Sequence, residues 1–189
     1  AGKNKVVLTS TDLDIGISSV LETEVEEEGS ITIPAKRFND IIKELPDEDI
    51  SISTMKNNSM IIKCSKCFFK IMGLPKEDFP KLPEFKDEPG VTIKQSVLKN
   101  MLSMTYFSMS HDETRYVLNG ALFLFKGKKL TIVTTDGKRM SLVRKDTEKD
   151  GLNRAIIIPS KTIYELNRIL GDEGDAQIIF SENQAKFDL

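Results

Sequence analysis

Side chains able to do covalent chemistry are sparse in this 189-residue chain. His111 is the single histidine, so any histidine triad or acid–base pair would have to be built on it, and no pattern sets a nucleophile against its ring. Cys64-Ser65-Lys66-Cys67 has the spacing of a redox pair or of half a zinc site, but the second half is absent. Residues three apart on one strand point to opposite faces, which would separate the two sulfurs, so free thiols are expected. Asp12 and Asp136 invite reading as a carboxylate pair. Each instead follows an equivalent strand in a repeat described below, which predicts that each shapes its own turn. No phosphate-cradling glycine loop occurs. The residues point to no catalytic group, metal or cofactor, and the chain reads as a binding protein.

The elements that position these residues come from an internal repeat. ITIPAKRFNDIIKEL at 31–45 returns about 125 residues later as IIIPSKTIYELNRIL at 156–170. Ile31, Ile33, Pro34, Lys36 and Leu45 recur as Ile156, Ile158, Pro159, Lys161 and Leu170. KVVLTSTD at 5–12 lines up with KLTIVTTD at 129–136 at an offset one residue shorter, which makes Thr11-Asp12 equivalent to Thr135-Asp136. Two copies of one domain are expected. Residues 91–128 have no counterpart before residue 1, and 64–90 none after Leu189, so the sequence reads as a fragment with both copies incomplete.

Composition, with 39% hydrophobic and 30% charged residues, is that of a globular protein. No apolar run approaches the roughly 20 residues that span a bilayer, and a cytoplasmic location is expected. The net charge of −2 argues against a uniformly basic nucleic-acid-binding surface. Its distribution is uneven. Lys36, Arg37 and Lys43 fall on the first repeated helix and Lys161 and Arg168 on the second, while acid gathers in Glu22, Glu24, Glu26, Glu27 and Glu28.

The pattern predicts an α+β fold of many short strands, with one long helix over 93–108 and two shorter ones beginning after Pro34 and Pro159. Strands are expected at 5–9, 15–21, 30–33, 49–54, 59–63, 67–72, 121–125, 129–134, 140–145, 155–158 and 176–180, with a further alternating run at 185–189. Hairpin turns are expected at Asn57-Asn58, Gly127-Lys128 and Glu182-Asn183. Apolar faces are assigned to Phe38, Ile41, Ile42 and Leu45, to Ile163, Leu166, Ile169 and Leu170, and, on the long helix, to Val97, Leu98, Met101, Leu102 and Phe107, with Lys94 and Lys99 outward. A domain boundary is expected near 84–91, dividing 1–88 from 89–189.

HDETRYVLNGALF at 111–123, followed by TIVTTDGKRMSLV at 131–143, resembles the bacterial DNA polymerase III β sliding clamp. IPAKRFNDIIKELP at 33–46, GLPKEDFPKLP at 73–83 and FSMSHDETRY at 107–116 add matching segments in the same order, so the resemblance covers essentially the whole chain. It implies a DNA clamp fold of three similar domains per subunit, with antiparallel sheets outside and helices on the inner face. Two subunits would close head to tail as a homodimer ring around double-stranded DNA, bound without regard to sequence. This chain would hold the latter part of the first domain and most of the second, with the third absent. The resemblance further implies a non-catalytic processivity factor.

On the same basis, Lys36, Arg37 and Lys161, together with Arg115 and Tyr116, are the DNA-contact candidates. Leu118, Thr135, Gly137, Lys138, Arg139 and Met140 would form the second-domain wall of a cleft that takes short peptides from the replicative polymerase, the clamp loader and other partners. Three residues depart from the family pattern: Val117 replaces a frequent second tyrosine, Lys138 a common histidine and Met140 the usual leucine. The alternative is a repeat-built protein-binding scaffold that does not encircle DNA. A redox or metal enzyme centred on Cys64 and Cys67 is a third reading.

Overall fold

A computed structural model describes residues 4–85, 90–147, 152–181 and 184–189. The chain divides into two compact units, Ala1–Pro83 and Glu84–Leu189. The expected boundary segment at 84–91 and the Glu182-Asn183 turn lie wholly or partly outside the described residues.

In the first unit, β1 (Lys5–Thr11) pairs antiparallel with β2 (Gly16–Glu22). The helix α1 (Ala35–Glu44) then precedes a three-stranded antiparallel sheet of β3 (Ser51–Met55), β4 (Ser59–Cys64) and β5 (Cys67–Met72), in that spatial order. Met60, Ile62 and Ile71 form the buried centre, and Phe38 and Ile41 of α1, with Leu45 just past its end, pack onto it. The C-cap residue Leu45 is extended, as the following Pro46 demands. The expected strand at 30–33 reduces to one bridge, Thr32 to Leu74.

In the second unit, β6 (Gly90–Lys94) leads into α2 (Gln95–Ser103). Four antiparallel strands form one sheet in the order β10 (Leu152–Pro159), β7 (Gly120–Gly127), β8 (Lys129–Thr135), β9 (Met140–Asp146). After α3 (Ser160–Ile169), β11 (Asp175–Phe180) pairs with β6 on one side and β12 (Ala185–Asp188) on the other. Leu98, Met101 and Leu102 of α2 and Ile163 and Leu166 of α3 meet Phe123, Phe125, Leu130, Ile132, Ile178 and Phe180 in one continuous core. No helix among the described residues is long and apolar enough to cross a membrane.

Several expectations need correction. The single long helix is three pieces: strand β6, the nine-residue α2, and a 3-10 turn at Tyr106–Ser108. Thr105 breaks the helix. Its Oγ1 turns back onto the carbonyls of Met101 and Leu102 at 2.9 and 3.2 Å, and its own carbonyl accepts the Thr134 hydroxyl of β8 at 2.6 Å. Phe107, downstream of the break, is 52% exposed instead of buried. Ile169, assigned to the apolar face of α3, is 43% exposed, whereas Lys99 does face outward and pairs there with Asp172 at 3.1 Å.

The two cysteines also depart from expectation. Cys64 ends β4 and Cys67 begins β5, and they are direct cross-strand partners around Ser65-Lys66. They therefore share a face, because the chain reverses between them. Both are free thiols, and burial, reinforced by the carboxylate of Glu48, pushes the Cys64 thiol upward.

Candidate functional site

The peptide-cleft candidates gather at the turn from β8 to β9. Thr135 Oγ1 accepts the Gly137 N–H at 3.1 Å and donates to the Arg139 carbonyl at 2.7 Å. Asp136 Oδ1 accepts the N–H groups of Lys138 and Arg139 at 2.9 and 3.0 Å, and its Oδ2 receives Arg139 Nε at 2.9 Å. These donors hold the Asp136 carboxyl down at about 2. Gly137 takes φ +88°, a left-handed conformation that suits glycine.

The same turn presents apolar surface. A Cβ added to Gly137 would meet Leu118 Cδ1 at 4.0 Å, so Leu118 lies against the turn. Its position is fixed by its own N–H, given to Arg115 at 2.8 Å, and by its carbonyl, which receives the Ser110 N–H at 2.9 Å. Met140 is the cross-strand partner of Thr135 and is 65% exposed. Leu118 is half-buried, so neither side chain is consumed by packing between strands. Leu118, Thr135, Gly137 and Met140 thus cluster around one turn, with the Thr135 hydroxyl engaged inside it. Lys138 is exposed at its edge, and Arg139 is turned onto Asp136. The exposed Leu142 follows Met140 on the same face of β9.

The DNA-contact candidates occupy separate elements. Lys36 and Arg37 lie exposed in the first turn of α1, and Lys161 lies exposed in the first turn of α3. Neither helix has an acid in its first turn or a side-chain N-cap. A cation there opposes the helix dipole and costs about 0.3–1 kcal/mol. The same arrangement favours an approaching anion, because the lysine charge and the positive end of the helix dipole act together.

Arg115 and Tyr116 sit on the loop between the 3-10 turn and β7. Arg115 pairs with Asp112 at 3.3 Å, while Thr114 donates to Asp112 at 2.6 Å and lowers that carboxyl. Tyr116 and Val117 are 80% and 69% exposed.

Sequence reasoning missed Asn119, which ties this loop to α3. Asn119 Nδ2 donates to the Ser110 carbonyl at 2.9 Å, its Oδ1 receives the Ser160 hydroxyl at 2.7 Å, and its carbonyl receives the Ser160 N–H at 3.2 Å. The loop carrying Tyr116 and the helix carrying Lys161 are therefore positioned by one side chain. Nothing local in the sequence announced this link, since the partners lie 41 residues apart. His111 is exposed, and among the described residues no cluster of three or more potential ligands is placed to hold a metal.

Comparison with known proteins agrees with this architecture. Residues 92–189 match the central domain of the DNA polymerase III beta subunit, and residues 1–83 match its N-terminal domain. The chain is 33% identical over 196 aligned residues to the beta sliding clamp of Staphylococcus epidermidis, covering 99% of this chain and 52% of the relative. It is 34% identical to that of Chlamydia pneumoniae, covering 96% and 50%. The structure of a sliding clamp (DNA polymerase III subunit beta) from Pseudomonas aeruginosa bound to griselimycin superposes with a TM-score of 0.93 at 31% identity, covering 99% of this chain and 52% of that one. The chain spans about half the length of these relatives. With both of its units matched by the family's models, the chain belongs to the DNA polymerase III beta subunit family.

Proposed function

We propose that this chain is half of a DNA sliding clamp, a non-catalytic processivity factor of a bacterial replicative polymerase. Residues 1–88 would be the latter part of its first domain and 89–189 most of its second. The observation that carries the reading is the repeated pair α1 and α3. Two units of one family place a ten-residue helix after a proline, with an exposed lysine at the same position of the first turn. Lys36, Arg37 and Lys161 would meet the phosphate backbone, which carries no sequence information and lets a ring slide. Arg115 and Tyr116 would add contacts from the loop fastened to α3. Processivity then comes from encirclement by a head-to-tail homodimer ring of the full-length chain, at a cytoplasmic location, and needs no tight affinity.

The patch of Leu118, Thr135, Gly137, Lys138, Arg139 and Met140 would be one wall of a docking cleft for short linear peptides of the polymerase, the clamp loader and other partners. Apolar surface with a few orienting polar groups is what such a peptide requires. Primer extension tests the function. With the full-length chain and its clamp loader, the products of the cognate polymerase should lengthen severalfold, and the joint variant K36E/K161E should shorten them. Product lengths indifferent to the chain would favour a protein-binding scaffold.

A further inference from the structure

The repeat aligns more of α1 and α3 than their first lysines. Lys36, Asn39 and Lys43 correspond to Lys161, Tyr164 and Arg168, and in each helix the spacing is i, i+3, i+7, which puts the three side chains on one stripe. All six are exposed. The stripe is thus basic, neutral, basic in both helices, and its central residue can donate a hydrogen bond in both. Arg37 lies about 100° round the helix from Lys36. Its repeat counterpart is Thr162, so the pattern does not include it.

Tyr164 is also held. Its ring packs against Tyr106 at 6.0 Å between centroids and 79° between planes, and Tyr106 itself rests against the core. Phe107 packs edge-on against the same Tyr106 at 6.5 Å and 77°. A large aromatic ring left 40% exposed on a helix between two cations, and braced from behind, has restricted freedom to lose on binding. At the end of the stripe, Glu165 Oε2 holds Arg168 through Nε at 3.1 Å and Nη2 at 2.6 Å.

We propose that Tyr164, braced by Tyr106, is a DNA-backbone contact whose hydroxyl donates to a phosphate oxygen between the sites of Lys161 and Arg168, with Asn39 as its counterpart between Lys36 and Lys43. Neutral hydroxyl and amide side chains are regular phosphate partners in sequence-independent binding. They displace no counterion, and this sets their signature apart from that of the lysines. The proposal rests on the reading of α3 as a DNA-facing helix.

The test is fluorescence anisotropy of the full-length chain with a labelled 30-base-pair duplex of mixed sequence, titrated at several salt concentrations. Tyr164→Phe should weaken binding about three- to tenfold, the loss of one hydrogen bond, with the salt slope unchanged. Asn39→Ala should do the same. Lys161→Glu should weaken binding and reduce the slope by about one. Wild-type affinity in Tyr164→Phe, alongside a weakened Lys161→Glu, would overturn the tyrosine contact and leave the helix reading standing. An intact Tyr164→Phe with a weakened Tyr164→Ala would also overturn it, in favour of ring stacking. No effect of Lys161→Glu either would remove the helix reading and this proposal with it. Circular dichroism of Tyr164→Phe confirms that the helix is intact.

Discussion

Leu13 holds the backbone conformation that its repeat counterpart Gly137 holds, with φ +80° against +88°. In each case the residue follows an aspartate at a strand end, and its N–H is given to a threonine hydroxyl, Thr11 at 3.0 Å or Thr135 at 3.1 Å. The aspartates match as well. Asp12 Oδ1 accepts the N–H groups of Asp14 and Ile15, as Asp136 Oδ1 accepts those of Lys138 and Arg139. A left-handed leucine costs about 1–2 kcal/mol, and a glycine there returns about half of the gain through unfolded-chain entropy. Leu13→Gly should therefore raise stability by about 0.5 kcal/mol, while Gly137→Ala should lower it by about 1 kcal/mol. Urea midpoints of the two variants check both signs.

The Asp136 carboxyl gives the turn an acid-side weakness. Its value in the fold, about 2, lies below the ordinary 3.8. A group depressed in this way stabilises the fold fully above about pH 4, and the contribution is lost as pH falls toward 2. Asp112, lowered chiefly by the Thr114 hydroxyl, acts in the same direction. Thermal melts between pH 6 and pH 2 should fall less steeply in Asp136→Asn than in the parent, with the difference confined to the region below pH 4.

The sequence made some of this legible and concealed the rest for physical reasons. The helices after Pro34 and Pro159 and the strands before Asp12 and Asp136 were readable twice, because each copy corroborated the other. The second unit's α2 had no such corroboration. The apolar period runs on through Phe107, and only the tertiary bond from Thr134 to the Thr105 carbonyl shows why the helix stops. The Cys64–Cys67 pairing was misread because Ser65-Lys66 lacks the glycine or asparagine that marks a tight turn, although Ser65 adopts φ +45°. Individual cleft candidates were visible as a motif. The contact of Leu118 with Gly137, and the strut Asn119 makes from loop to helix, depend on partners brought together only by folding.

Peptide docking is expected to fail when the apolar pair is charged. In the full-length chain, Leu118→Asp and Met140→Asp should each weaken a fluorescent clamp-loader peptide at least tenfold, because a carboxylate must be desolvated in the contact. Met140 is exposed, so Met140→Asp should leave the circular dichroism spectrum and melting temperature unchanged. Leu118→Asp, at a half-buried position, should lower the melting temperature by a few degrees.

Releasing Arg168 should strengthen DNA binding. Glu165 occupies two guanidinium donors through the same oxygen, so Glu165→Gln removes a negative charge from beside Arg168 and leaves the arginine available. Duplex affinity at low salt should rise about twofold, and the salt slope should steepen. The gain should fade as salt is raised, which titrations across ionic strength will show.

Encirclement is tested most directly by retention on DNA of different topology. Full-length chain is loaded by its clamp loader onto a nicked circular plasmid and separated from free protein by gel filtration, before and after the circle is cut once. Protein that stays with the circle and is lost within minutes of linearisation is the predicted result, since a ring that slides leaves through an open end. Equal retention on circular and linear DNA would contradict it, and would mean that the chain holds DNA by contact alone.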